Sequence, residues 1–314
     1  NVEEDFLNDV LALDPSIARV LVQEASLQKK HESLILDYER ATKVIETASC
    51  ITVGTCYCRH KMEHKGMACS KPQDVCLTFN GAAKSLAKHG IAKKISKVEA
   101  KKVLDKCVSL GLVQIGDNVQ NKVAWICNCC GCCCEAILAY KRLGYGMNVK
   151  TNFYPEMHHE DCSSCGLCAK KCPVDAITMQ EKNGKKYPVV DLDKCFGCGV
   201  CKRFCPTKGI IMQKKEGTAF VPKDAFERFV MTAINEGKLQ NLIFDNYSSW
   251  SNQVMNRFLG IILNLSPVKR KLVSQQLQSR FIHGLSKTYY ALAKSFISLE
   301  KPDYSHPEMK EKKK

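Results

Sequence analysis

Twenty of the 314 residues are cysteine, and eighteen of those twenty stand in four tight groups. Thiolates two or three residues apart are the donors that soft metals take. Disulfides are a poor use for them, because neighbouring cysteines cannot reach each other with good bridge geometry. Disulfide scaffolds are also usually short secreted chains. The spacing points instead to metal centres in a reducing compartment. The number of thiols that each centre takes then decides its chemistry.

The most regular groups are two repeats, "CSSCGLCAKKCP" and "CFGCGVCKRFCP". They place Cys162, Cys165, Cys168 and Cys172 before Pro173, and Cys195, Cys198, Cys201 and Cys205 before Pro206. This is the run C-x2-C-x2-C-x3-C-P of bacterial ferredoxins, written twice. The short gaps let one loop wrap three corners of a cube, and Gly166, Gly197 and Gly199 allow the close turns. In that motif the fourth cysteine ligates the other cluster. One cluster is therefore expected on Cys162, Cys165, Cys168 and Cys205, and a second on Cys195, Cys198, Cys201 and Cys172. Residues 160–213, with the "VDAI" after the first repeat, resemble two-cluster [4Fe-4S] ferredoxins. Zinc needs one set of four ligands and fits this eightfold arrangement badly.

Upstream, Cys56, Cys58, Cys69 and Cys76 form a C-x-C-x10-C-x6-C array. Four thiols closed by loops suit either a zinc ion or a further iron–sulfur cluster. Arg59, His60 and His64 would add donors and positive charge around an anionic centre. Residues 127–134, "CNCCGCCC", supply Cys127, Cys129, Cys130, Cys132, Cys133 and Cys134. Adjacent side chains diverge, so these six cannot converge on one small site. They are expected to serve two sites, or one large site together with the Cys56–Cys76 group. Ten thiols suffice for one or two further iron–sulfur clusters. A helix starting near Glu135 would turn its positive end toward them.

The order "CYCRH", two spaced cysteines, a "GLVQ" helix end, "ICNCCGCCC" and a double ferredoxin repeat resembles a group of proteins of anaerobic microbes. These are 4Fe-4S-binding, ferredoxin-type proteins, and the likeness spans about residues 37–213. It implies iron–sulfur binding and electron transfer.

The elements that must hold these residues read as α+β in several domains. Residues 1–48 are expected to form an N-terminal helical segment, with acidic residues in a first turn and a break at Pro15-Ser16. Residues 49–150 form a cysteine-rich α/β domain, opened by the β-branched "CITVGTCYCRH" as a strand running into a ligand loop. Within it, 81–125 reads as a winged-helix-like insert. Ser96 and Glu99 form a capping box, Gly111 ends that helix, and a hairpin follows around Asp117-Asn118. The favoured reading of this stretch is a packing element that carries the cysteine loops. Cys107 is expected in the core. Residues 151–217 are the two-cluster ferredoxin domain, and 218–314, which lacks cysteine, is a C-terminal helical docking region.

The formal charge of +15 invites nucleic acid as a partner. Cysteines are counted as neutral in that sum, however, and two to four clusters at about two negative charges each would remove roughly 4–8 units. Nucleic-acid binding is the weaker reading. No run of eighteen apolar residues predicts a transmembrane helix, and no secretory signal is expected. The apolar helix expected within 250–272 could lie on a membrane surface. The expectation is a cytoplasmic protein, with a position peripheral to the membrane as the alternative. No nucleotide or flavin fingerprint stands in the chain. It reads as an electron-transfer protein or subunit serving a partner oxidoreductase rather than as an enzyme alone. The alternatives are a reductase with an unusual catalytic cluster among residues 56–134, and a redox-sensing regulator that binds DNA.

Overall fold

The structure is a computed structural model and describes residues 18–21, 40–143, 151–182, 184–215 and 221–235. The chain divides into two units, Leu13–Arg228 and a second one combining Asn1–Ala12 with Phe229–Lys314. Every cysteine lies in the first unit.

That unit is built on a six-stranded sheet in the order β1-β5-β6-β3-β2-β4. Its strands are β1 (Ala18–Val20), β2 (Ile51–Thr55), β3 (Asp74–Phe79), β4 (Lys93–Lys94), β5 (Val113–Asp117) and β6 (Trp125–Cys129). All its pairings are antiparallel. The connections hold α1 (Ala41–Thr47), α2 (Tyr57–His64), α3 (Asn80–Lys88) and α4 (Lys97–Ser109), and α5 (Glu135–Leu143) follows β6.

Side chains alternate across a strand, so the pleat sorts the two faces. Leu77 and Phe79 of β3 and Ile126 of β6 face a layer that includes Ala41, Val44 and Ile45 of α1 and Ala100 and Leu104 of α4. The opposite face carries Cys76 of β3, Cys127 and Cys129 of β6, and Val113 and Ile115 of β5. Val113 stands opposite Cys129 and Ile115 opposite Cys127. Leu77 pairs with Ile126, so one step along the register sets Cys76 against Cys127. On the apolar face Asn128 donates to the Val75 carbonyl at 2.7 Å and accepts from Gln114 Nε2 at 2.9 Å, which ties β3, β6 and β5 together.

The helix α4 carries the expected capping box. The Glu99 amide donates to Ser96 Oγ, and the Ser96 amide donates to the Glu99 carboxylate. Gly111 follows at φ 72°, where only glycine sits without strain.

The ferredoxin part holds two short ribbons, β7 (Phe153–Met157) with β10 (Ile210–Lys214) and β8 (Ile177–Lys182) with β9 (Lys185–Val190). Between them stand α6 (Leu167–Lys171) and α7 (Val200–Arg203). The chain is mixed α+β, with a six-stranded antiparallel sheet domain and a ferredoxin-like domain.

Three expectations change. The helix expected after Pro15-Ser16 gives way at Ala18-Arg19-Val20 to β1, because these residues pair with Ile115, Gly116 and Asp117 at the sheet edge. Tertiary pairing overrides local preference there. The segment after β2 is the helix α2 rather than a loop, with Arg59 and Met62 one turn apart on its buried side. The 81–125 stretch is not a separate insert, since β5 and β6 lie inside the sheet with neighbours on both sides. The expected C-terminal helical region opens with α8 (Ala225–Asn235). The later C-terminal helices, including 250–272, and most of the 1–48 segment lie outside the described residues. Among the described residues no helix is long and apolar enough to cross a membrane.

Candidate metal centres

The two ferredoxin repeats are near copies in backbone as well as in sequence. Gly166 and Gly199 cap α6 and α7 in the left-handed region, at φ 69° and 70°. Two residues after the first cysteine of each repeat, Ser164 and Gly197 also have positive φ, 59° and 69°. Each turns its amide onto the preceding thiol: Ser164 donates to Cys162 Sγ and Gly197 to Cys195 Sγ, both at 3.4 Å. Gly197 has no freedom to change, because a Cβ there would fall on the Phe153 carbonyl and Thr151 Oγ1. The Ala176 amide donates to Cys172 Sγ at 3.3 Å. Amides aimed at sulfur stabilise thiolate and raise a cluster's potential.

Cys162, Cys165, Cys168 and Cys205 line one cavity, with Gly166 and Gly209 beside them. Cys201 is buried, and its thiol is pushed well up by burial and then by Cys198, Cys195 and Cys172 around it, the other three members of the second set. Each set gathers four thiols, the number that a [4Fe-4S] cluster takes. Cys165 is exposed in the first set. The second set faces inward: Cys172, Cys195 and Cys198 pack with Cys129, Cys134 and Ile137 of the sheet domain.

The upstream thiols divide against sequence order. Cys69, from the loop after α2, joins Cys130, Cys132 and Cys133, and all four sulfurs lie within 4.8 Å of one another. The Sγ atoms of Cys69 and Cys130 are 3.8 Å apart, as are those of Cys132 and Cys133. A tetrahedral ion with metal–sulfur bonds near 2.3 Å sets its sulfurs about 3.8 Å apart. These four residues therefore suit a metal held by thiolates alone. Among the described residues no other set of three or more potential ligands closes to this distance, the two ferredoxin sets included.

The remaining thiols form an arc: Cys76 meets Cys127, Cys127 meets Cys129, Cys129 meets Cys134 and Cys134 meets Cys58. Cys129 and Cys134 Sγ are 3.4 Å apart. Cys129 and then Cys76 bring Cys127 down to about 4, and Cys129 and then Cys58 bring Cys134 to about 3. Cys56 lines one cavity with Cys58, Cys76, Cys127, Cys129 and Cys134, and also packs beside Cys69, Cys130 and Cys133, between the two groups. The zinc site expected on Cys56, Cys58, Cys69 and Cys76 is thus not assembled by those four. The α2 helix separates Cys69 from Cys58, and the pleat turns Cys76 toward Cys127.

Arg59 sits between the groups and is 1 % exposed. It donates to the Pro72 carbonyl at 2.9 Å and the Asn128 carbonyl at 2.6 Å, joining both ligand loops. Burial opposes its charge, yet Cys130, Cys56 and Cys69 hold its pKa above the ordinary value. His60 and His64 are exposed and face each other, with Nε2 atoms 3.2 Å apart. Cys107 is fully buried beside Cys130 and Cys133, where desolvation pushes its thiol up to about 11. The burial of Arg59 carried no sequence signal beyond its place in "CYCRH".

Comparison with known proteins agrees with this geometry. No curated protein matches the chain. Residues 149–209, which hold both repeats, match the family described as the 4Fe-4S dicluster domain, so this part of the chain carries two [4Fe-4S] clusters and an electron-transfer role.

Proposed function

We propose that this chain is an electron-transfer protein or subunit in which low-potential electrons pass through the dicluster domain to or from a metal-bearing cysteine domain, in the service of a partner oxidoreductase. The observation that carries this reading is the seam between the two domains. A Cβ at Gly131, inside "CNCCGCCC", would overlap the carbonyl of Pro173, the residue after the cluster ligand Cys172. Arg203 Nη2, on the helix of the second repeat, donates to the Leu112 carbonyl at 3.1 Å. Phe204 packs where a Cβ of Gly111 would be. The second cluster is thereby held against the upstream thiols, while the first, with Cys165 exposed, faces outward. Outer cluster, inner cluster and cysteine domain form a path in series, and its outer end suits a docking protein.

The residues' contribution is positional. The αL turns at Gly166 and Gly199 and the amides on Cys162, Cys172 and Cys195 set each cluster's place and its potential. The clusters, when bound, supply one-electron chemistry. Anaerobic purification followed by EPR of the reduced chain tests the reading. Two magnetically interacting [4Fe-4S] signals are expected at low potential, near the ~−400 mV of low-potential ferredoxins, with oxidation on mixing with an external acceptor. Clusters that stay oxidised under a strong reductant, or a reduced chain that passes no electron on, would overturn it.

A further inference from the structure

The arc of thiols is absorbed neither by the dicluster domain nor by the compact Cys69 group, and it surrounds a cavity of about 290 Å³. We propose that this cavity is a separate metal centre, a polynuclear iron–sulfur cluster held by Cys58, Cys76, Cys127, Cys129 and Cys134 with Arg59 as its buried hydrogen-bond donor. The inference goes beyond the electron-transfer reading and stands without it.

Four observations carry it. The donors are all thiolates, which select zinc, copper(I) or iron–sulfur clusters over harder ions. Their layout excludes a single ion: consecutive sulfurs touch along the arc, yet no three of them close to within 4.8 Å as the Cys69 group does. The space they border is far larger than the ~10–15 Å³ that one water needs, so it suits a group with several metal atoms. Finally, Arg59 lines this cavity, and its Nε is buried with no hydrogen-bond partner. A buried donor of a charged group left unpaired is costly, and an anionic cluster with sulfide acceptors would satisfy it. The fold brings the arc together from three directions. The cross-strand pair Cys76–Cys127 and its neighbour Cys129 come from the sheet, Cys134 from the start of α5, and Cys58 from the first turn of α2. A salt bridge between Lys61 and Glu135 holds these two helices against each other.

The test is iron, acid-labile sulfide and zinc per full-length chain, purified without oxygen, beside EPR or Mössbauer spectra. Wild type should hold about twelve irons and twelve sulfides, eight of each in the dicluster domain and four in the cavity. The double variant Cys76→Ser/Cys127→Ser should lose about four irons and keep the dicluster signals. A wild type with about eight irons would overturn the proposal, and so would a variant that keeps twelve. A matching loss from Cys69→Ser/Cys132→Ser, with none from the cavity variant, would move the cluster to the other group and overturn it as well. If the double variant loses the dicluster signals through misfolding, the single variant Cys127→Ser decides, since a serine oxygen can replace the thiolate. Altered g values of the third signal support the proposal, and an unchanged third signal overturns it. Failure of electron delivery to an acceptor with twelve irons in place would count against the electron-transfer reading alone.

Discussion

At Cys69 two forces compete. Burial disfavours the thiolate, but the Lys71 amide and the thiols of Cys133, Cys132 and Cys130 bring it down to about 7. Cys132 and Cys133 are pushed above the ordinary thiol value, by burial first. The metal-free group therefore keeps protons on Cys132 and Cys133 at neutral pH, and a metal must displace them. Protons compete with the ion, so affinity rises with pH and falls as pH drops. With at least the two protons of Cys132 and Cys133 released per ion, affinity should fall by at least about a hundredfold for each pH unit lost between 8 and 7, and more steeply below 7 as Cys69 also protonates. Zinc competition in chelator buffers reads this slope directly. An affinity that ignores pH would show that these thiols are not the ligands. The four-thiol grouping itself was not legible in the sequence. Spacing alone pairs Cys69 with Cys58 and Cys76, and only the fold brings Cys130, Cys132 and Cys133 to it. The dicluster ligands were legible, because their loops are local and their one crossing is built into the repeat.

The elements show why the rest was hidden. In "ICNCC" the alternation Cys127, Asn128, Cys129 is a strand pattern with cysteine on one face and a structural amide on the other. A reader of the sequence sees six crowded thiols, whereas the strand and the turn after it send them to two places. The edge strand β1 was illegible because three residues gain their conformation only from pairing with β5. The αL turns were legible wherever glycine marks them, and Gly197 is the most constrained of these. At φ 69°, against the Phe153 carbonyl and Thr151 Oγ1, alanine would meet both left-handed strain of about 1–2 kcal/mol and a backbone clash. Gly197→Ala should therefore displace Cys195 and Cys198 and remove about four irons, with the signal of one cluster surviving. Gly166→Ala, whose Cβ would meet Met179 only at 4.0 Å, should cost the left-handed strain alone and keep both clusters. Iron counts and EPR of the two variants, compared side by side, check this. Equal effects would mean that backbone angle rather than space governs the site.

For the whole molecule, the decisive feature is that two cysteine-bearing domains share one apolar cluster. Val174, Ala176, Phe196 and Val200 of the dicluster domain pack with Val113, Ile115, Cys129 and Ile137 of the sheet domain. The α5 helix spans the boundary: Lys141 pairs with Asp175, and Tyr140 donates to the Asp193 carbonyl at 3.1 Å. Such packing fixes the inner cluster relative to the upstream thiols, whereas domains joined by a linker would leave it to diffusion. The basic charge of +15 fits the same arrangement, because several anionic clusters held in one body need compensation. If the seam is the route for electrons, widening it should slow transfer without emptying any site. Gly131→Val is the sharpest change available. The Pro173 carbonyl lies where its Cβ would go, so the two domains must part at this point. The variant should keep its iron, sulfide and zinc, and its dicluster EPR signals should be unchanged. After rapid reduction of the outer cluster, freeze-quench EPR should show the upstream centre filling severalfold more slowly than in wild type. Gly66→Ala, at an open surface turn of the same domain, should leave the rate alone. An unchanged rate in Gly131→Val with full metal content would place the electron path elsewhere than at the contact between "CNCCGCCC" and the second cluster.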